Sequence, residues 1–334
     1  MRILAAPKRD VHTGNPYVTL LYERIEALGA TVTPFSIARL LSGRYDVAHF
    51  HWPQGRFQGR SAWSAFLRAS KLLLGLAVHR LCGGKVVWTV HNILPHDRQS
   101  WRGGFLYAAV FCRLVTHLVF LSSSSVAPAY DAFPMLKKAK KAIIPHGHYR
   151  DVCPPVPRLR SSAGDVTIGF FGSIKPYKNV CKLLEVFQRM DAPNARLVVH
   201  GKPDSAELTE RLRRRADGDR RITLDLRHID DAEVAAIHSR IDLVVLPFSD
   251  ILNSGSAIMA LSQNCRVLVP ARGAMVELAE LVGAEWVRTF EGELTVAILA
   301  KAVAWATASS GTMADLEALS WATIGEKHVE LFGS

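Results

Sequence analysis

What most constrains the fold is a strict alternation of short apolar strands with helical stretches, interrupted once. MRILAAP, ATVTPF, DVAHFHW, KVVWTV, HLVFLS and KAIIPHG read as strands, with helical segments over YVTLLYERIEALG, 61–82 and 101–115 between them. The rhythm breaks at VCPPVPRLRSSAGD, residues 152–165, which holds three prolines and no apolar periodicity. Beyond it VTIGFFGS, ARLVVHG, ITLDLR, DLVVLPF and CRVLVP alternate with helices near 179–190, 205–217, 231–239, 256–264 and 274–282. Strands separated by helices pair in parallel and need helices on both sheet faces. The expectation is an α/β chain of two doubly wound domains facing a cleft, 1–152 and 165–312, with a helical tail over 313–334 running back toward the first domain.

Composition narrows the setting. The chain is 334 residues long, enough for two cores. Its five cysteines form no Cys-x-x-Cys pair, which fits free thiols and gives no zinc site. MRILAAPKRD lacks the pattern of a secretory signal, and the apolar runs 72–78 and 105–121 are short for a bilayer crossing, so a cytoplasmic protein is expected. Residues 1–155 carry 20 Lys and Arg against 7 Asp and Glu, whereas residues 156–334 carry 21 against 23. The net charge of +11 therefore belongs to the first half. MLKKAKKA (135–142) and the basic amphipathic stretch 63–81, with Arg68, Lys71 and Arg80 among Trp, Phe and Leu, suggest contact with an anionic membrane surface at about 1 kcal/mol per basic residue. A buried helix beside a solvated lysine run is the plainer account. Nothing resembles a nucleic-acid-binding module.

Two loops carry anion chemistry. In SDILNSGSAIMALSQNCRVLVP a strand ends, Asn253-Ser254-Gly255-Ser256 turns, and a helix begins. Free amides at a helix start, hydroxyl donors and a glycine for close approach form a phosphate cradle. The same serines would serve as simple helix caps. In IGFFGSIKPYKNV the strand ends at Phe171 and Gly172-Ser173 turns, with Lys175 and Lys178 preceding the next helix. Two lysines there could neutralise a diphosphate.

These motifs together resemble the donor domain of GT-B glycosyltransferases. DVAHFHWP and VVWTVHNILPHD are similar to segments of bacterial exopolysaccharide glycosyltransferases of that fold. The resemblance implies a nucleotide-sugar donor, UDP- or GDP-linked, no other cofactor, no bound metal, and a lipid-linked saccharide acceptor at the inner face of the membrane. It maps Lys178 onto the diphosphate-binding lysine, puts Ser173 where an arginine is often found, maps His228 and Ile229 of RHIDDAEV onto the base-binding segment, and places Glu277 in a G-x-x-x-E pattern. Retaining members carry a glutamate pair whose places here hold Ile251 and Met259, so an inverting transfer is expected, with retention, or a nucleotide-sugar hydrolase or epimerase, as the alternatives.

Inversion calls for a general base, which is expected from the first domain. Asp97 in VHNILPHD is the first candidate and Asp10, near His12, the second. His91 and His12 are further candidates, and Asp97 could equally be a surface carboxylate. His49 and His51, on alternate strand positions, are expected at the acceptor with Asn15 and Tyr17. The His-x-His pairs lack a third ligand at metal spacing.

Overall fold

The computed structural model describes residues 1–9, 16–57, 61–93, 104–159, 165–250, 253–307 and 313–334. These form two compact units: Met1–Gly147 with Leu319–Ser334, and His148–Ala318.

In the first unit β1 (Arg2–Ala6), β2 (Thr31–Pro34), β3 (Val47–Phe50), β4 (Lys85–Val90), β5 (His117–Phe120) and β6 (Lys140–Ile143) pair in the order β2-β1-β3-β4-β5-β6, all parallel. Successive strand residues point to opposite faces. Leu4, Phe50, Trp88 and Phe120 therefore pack with α3 (Ala62–Leu81) and α4 (Gly104–Leu114), while Ile3, Val47, Val87 and Val119 pack with α1 (Tyr17–Ala27) and α12 (Trp321–Gly333). Two short helices, α2 (Ile37–Leu41) and α5 (Val126–Ala132), complete this unit. The terminal helix α12 lies against α1, and Lys85 Nζ holds the Phe332 carbonyl at 2.7 Å.

In the second unit the strands are β7 (Val166–Phe171), β8 (Ala195–His200), β9 (Ile222–Asp225), β10 (Leu243–Val245), β11 (Arg266–Pro270) and β12 (Val287–Phe290). They run β9-β8-β7-β10-β11-β12, again all parallel. Connecting them are α6 (Val180–Gln188), α7 (Ala206–Ala216), α8 (Asp231–His238), α9 (Gly255–Ser262) and α10 (Ala274–Val282), with α11 (Val296–Thr307) after β12. Both sheets are the parallel α/β layers that the alternation implies.

The boundary falls ahead of the proline-rich stretch. Residues 148–159 belong to the second unit, because their polar groups bond to it: the Tyr149 N–H donates to Ser262 Oγ (2.9 Å), Leu159 N–H to the Ser239 carbonyl (2.9 Å), and Gln263 Nε2 to the Cys153 carbonyl (2.6 Å). Arg158 adds bonds to the carbonyls of Asn264 and Ile241. The prolines end regular structure without freeing the chain.

Candidate active site

In an open parallel sheet, ligands bind outside the carboxyl ends of the strands, where the strand order reverses. In the second unit that point lies between β7 and β10, which are paired neighbours. The chain leaves β7 into Gly172-Ser173 and leaves β10 through buried Leu246 and Phe248 toward α9. Both anion loops singled out in the sequence thus start from adjacent strands.

They meet. Gly172 sits at φ 118°, and a Cβ there would lie 2.8 Å from Ser256 Oγ and 3.7 Å from Lys178 Nζ. A Cβ on Gly201 would strike the Gly172 carbonyl oxygen at 2.0 Å, so two glycines permit this approach. Lys178 closes a 3-10 turn, Pro176–Lys178, and Asn179 at φ 52° starts α6 behind it. Its side chain is buried, the residue only 8% exposed, with Nζ 3.4 Å from Ser173 Oγ and 5.4 Å from the centre of the Phe248 ring. Among the described residues no carboxylate pairs with it. Burial, with the neighbouring Lys175 charge, pulls its pKa down to about 8.

At the start of α9 the two serines divide their roles. Ser254 Oγ accepts from the Ala257 N–H at 3.1 Å and caps the helix, so for this serine the simple capping role holds. The Gly255 and Ser256 amides have no partner within the helix, as at any helix start. Asn253 Nδ2 is buried with no hydrogen-bond partner among the described residues. A Cβ on Gly255 would come 3.0 Å from the Tyr149 hydroxyl, so this side of the helix start is closely walled. The local result is a concentration of donors and one ammonium group with little internal acceptor capacity.

The other donor candidates are dispersed along the same sheet edge. His228 is exposed and Ile229 buried in the loop after β9, held by Arg227, whose guanidinium grips Glu233 (2.6 and 2.8 Å) and Asp225 (3.0 Å). Glu277 stands half-buried in the first turn of α10, beyond β11. Phe248 and Tyr149, which line the cradle, carry no sequence signal beyond being aromatic.

In the first unit three of the four acceptor candidates require correction. His49, His51 and Tyr17 are wholly buried, so they form an internal network between the sheet and the α1/α12 layer instead of a contact surface. Thr89 Oγ1 lies 2.8 Å from His49 Nε2, His49 Nδ1 3.0 Å from the Tyr22 hydroxyl, that hydroxyl 2.9 Å from His51 Nε2, and His51 Nδ1 3.0 Å from His91 Nε2. A neutral imidazole donates once and accepts once, so every bond in this chain is made with all rings uncharged. Burial accordingly lowers the pKa of His49 and His51, takes His91 to about 3, and takes His146 and His328 to about 4. His91 is half-buried, stacked on Trp52 with ring centres 4.5 Å apart. Tyr22 belongs to this network and His328 stands beside it, with its ring centre 6.1 Å from that of His49; neither was singled out in the sequence. Asp10, His12, Asn15 and Asp97 lie outside the described residues, as does Ile251.

No protein-family model matches the chain. A GDP-mannose:glycolipid 4-beta-D-mannosyltransferase of Xanthomonas campestris pv. campestris is 31% identical over 333 residues, 99% of this chain and 91% of that protein. The chain belongs to the GT-B glycosyltransferases. A second mannosyltransferase of the same description and pathovar is 30% identical to this glycosyltransferase over the same span. Among solved structures, HepE of Anabaena in complex with UDP and glucose covers 100% of the chain with a TM-score of 0.67 at 14% identity, aligning over 99% of its own length. Sucrose-phosphate synthase of Thermosynechococcus elongatus covers 99% with a TM-score of 0.68 at 16% identity, over 98% of its length. These two likenesses are likenesses of fold.

Proposed function

We propose that this glycosyltransferase moves a sugar from a nucleoside diphosphate donor to a lipid-linked saccharide in the synthesis of a cell-surface or exported glycan, with inversion at the anomeric carbon and without a bound metal or other cofactor. One observation carries the reading: Gly172, Ser256 and a buried, uncompensated Lys178 converge at the switch point of the second sheet. A diphosphate leaving group there gains charge-assisted bonds from the ammonium and from the α9 amides, which stabilise the charge that develops as the glycosidic bond breaks. Lys175 adds to the field, Ser173 and Asn253 donate, the backbone at His228 and Ile229 holds the base, and Glu277 contacts the donor. GDP is the first base to test, because the Xanthomonas relatives are described as using GDP-mannose. Their β-linked product supports inversion, since GDP-mannose carries its sugar as the α anomer.

For the acceptor hydroxyl, Asp97 is the proposed base, with Asp10 second and His12 after them. His91, with its pKa taken down to about 3, is a poor proton acceptor near neutrality and is better read as a neutral positioning group. Peripheral attachment to the inner membrane face is supported by α3, whose Trp63 and Leu81 are 67% and 88% exposed beside Arg68, Lys71 and Arg80. Among the described residues no helix is long and apolar enough to cross a membrane.

The experiment combines calorimetry with transfer. The wild-type chain should bind GDP or UDP and transfer sugar from the matching donor to a glycolipid. Asp97→Asn should bind the nucleotide as before and lose roughly three orders of magnitude in transfer, in line with removal of a general base. Absence of heat with both nucleotides overturns the donor reading, and wild-type transfer by the Asp97 variant overturns the base.

A further inference from the structure

The first sheet has its own reversal of strand order, between β1 and β3. An open cavity of about 540 Å³ lies there at the ends of β1, β2 and β3, lined among the described residues by Lys8, Arg9, Phe35 and Arg56 with Pro7 and Pro34. Its charges are unevenly answered. Lys8 Nζ is held at 2.8 Å by both Glu26 Oε1 and the Val32 carbonyl, so this ammonium is neutralised. Arg56 is half-buried with its Cζ 4.5 Å from the centre of the Phe35 ring, and among the described residues no hydrogen bond or ion pair engages its guanidinium. Arg9 is exposed at the rim and likewise has no carboxylate partner among the described residues. Among the described residues no carboxylate lines the cavity.

A guanidinium removed from water without a counter-ion is unfavourable unless something supplies one. Contact with the Phe35 ring holds the group in place without accepting its N–H bonds, and a guanidinium is a fork matched to two oxygens of a phosphate or carboxylate. Desolvation alone pulls the Arg56 pKa below its ordinary value, the mark of a cation lacking an anion. Phe35 is itself braced against Phe50, ring centres 5.3 Å apart, so the platform is anchored in the core beneath the cavity.

We infer that the cavity at the ends of β1, β2 and β3 is a binding site for an oxyanion carried by the acceptor, gripped by the Arg56 fork and drawn in by Arg9. This rests on the acceptor reading above, and the shared chemistry is a phosphate of the lipid carrier or a carboxylate of an acidic sugar. It places the acceptor's charged group at the reversal point of one sheet, as the donor's diphosphate is placed at that of the other.

The test uses the full-length chain with Lys178→Ala, which disables the diphosphate cradle of the second unit, titrated calorimetrically with inorganic pyrophosphate and separately with D-glucuronate. At least one should bind, and adding Arg56→Gln should weaken it tenfold or more; Arg56→Lys, which keeps the charge without the fork, should recover part of the loss. Preference for pyrophosphate assigns the site to the lipid carrier, preference for glucuronate to an acidic sugar. Arg9→Gln, at an exposed position where folding is not at stake, should weaken the same anion several-fold. In the chain with Lys178 intact, Arg56→Gln should raise the acceptor KM tenfold while the donor KM and GDP affinity stay as in wild type. Binding of neither anion, or binding indifferent to Arg56 and Arg9, overturns the inference. Transfer with an unchanged acceptor KM in Arg56→Gln likewise defeats the pocket while leaving the transferase reading standing, whereas a chain that binds no nucleotide defeats that reading and leaves the pyrophosphate arm to judge the pocket.

Discussion

Each unit buries polar groups beneath the carboxyl edge of its sheet, and the two do so in opposite ways. In the first unit Thr89, His49, Tyr22, His51 and His91 answer one another bond for bond, and burial removes their charge. In the second, Lys178 is buried with a weak 3.4 Å contact to Ser173, an aromatic face and no carboxylate among the described residues. A closed network needs nothing from outside. An open one is sustained only because the rest of the fold supports it, and such local costs collect where a ligand completes the set.

Acid should separate the two units most strongly. His49, His51, His79, His91, His117, His146 and His328 in the first unit all have lowered pKa values, against His148, His200 and His238 in the second. Because these groups take up protons in the unfolded chain before they do so in the native one, stability rises with pH across the window and is lost as pH falls below the ordinary histidine value. A group held near 4, such as His328, removes up to about 1.4 kcal/mol for each pH unit. Hydrogen exchange between pH 7.5 and 5 should show the first unit losing protection first. Simultaneous loss in both units would break the contrast.

Lys178→Met tests the other side. Nucleotide diphosphate affinity should fall roughly 10- to 100-fold, the range for bonds to a charged group. Thermal stability should move the opposite way. A pKa lowered to about 8 from the ordinary 10.5 means that burying the ammonium opposes folding by at most about 3 kcal/mol at neutral pH, a penalty that methionine does not carry. A calorimetric titration and a melting curve on the same sample decide it; a lower melting temperature would show that the lysine is structural.

That difference also explains what the sequence could disclose. Alternating apolar runs revealed both sheets because a parallel strand must be apolar on both faces, and helix limits such as 62–81 against the expected 61–82 followed from the same rhythm. That the two anion loops start from one sheet edge was legible because Gly172, Lys178 and Asn253 to Ser256 stand where strands give way to helices, although Ser254 proves to be a helix cap. For His49 and His51 the pattern misled. A histidine pair on alternate strand positions signals a shared face, and only the packing of α1 and α12 over that face reveals it as interior. Arg56 was illegible for a related reason: its significance lies in what fails to pair with it, and sequence spacing carries no record of missing partners.

Tyr22→Phe should have an intermediate effect. The hydroxyl bridges His49 and His51 by hydrogen bonds, and deleting it leaves two buried ring nitrogens without that partner. The expected loss is about 1–3 kcal/mol of stability, the range for stranding a buried polar group. Measured below the melting transition, donor affinity should be unchanged. A kcat that falls with the fold intact would mean that the histidine network reaches the chemistry, and the division into a closed and an open set would need redrawing.

The finest separation lies within four residues at the start of α9. Ser254 and Ser256 are chemically the same, yet one hydroxyl accepts from the Ala257 amide while the other stands 2.8 Å from where a Gly172 Cβ would be. Ser254→Ala removes a cap and should lower stability by about 1 kcal/mol, with a binding loss only as large as the frayed helix start allows. Ser256→Ala keeps the cap and should leave the melting curve unmoved, while losing a donor to the diphosphate and with it a few-fold in nucleotide affinity. The pair works as its own control, since both substitutions remove one oxygen from the same helix turn. If both variants lose affinity equally, the cradle depends on helix order alone, and the hydroxyl facing Gly172 and Lys178 has no part in holding the donor.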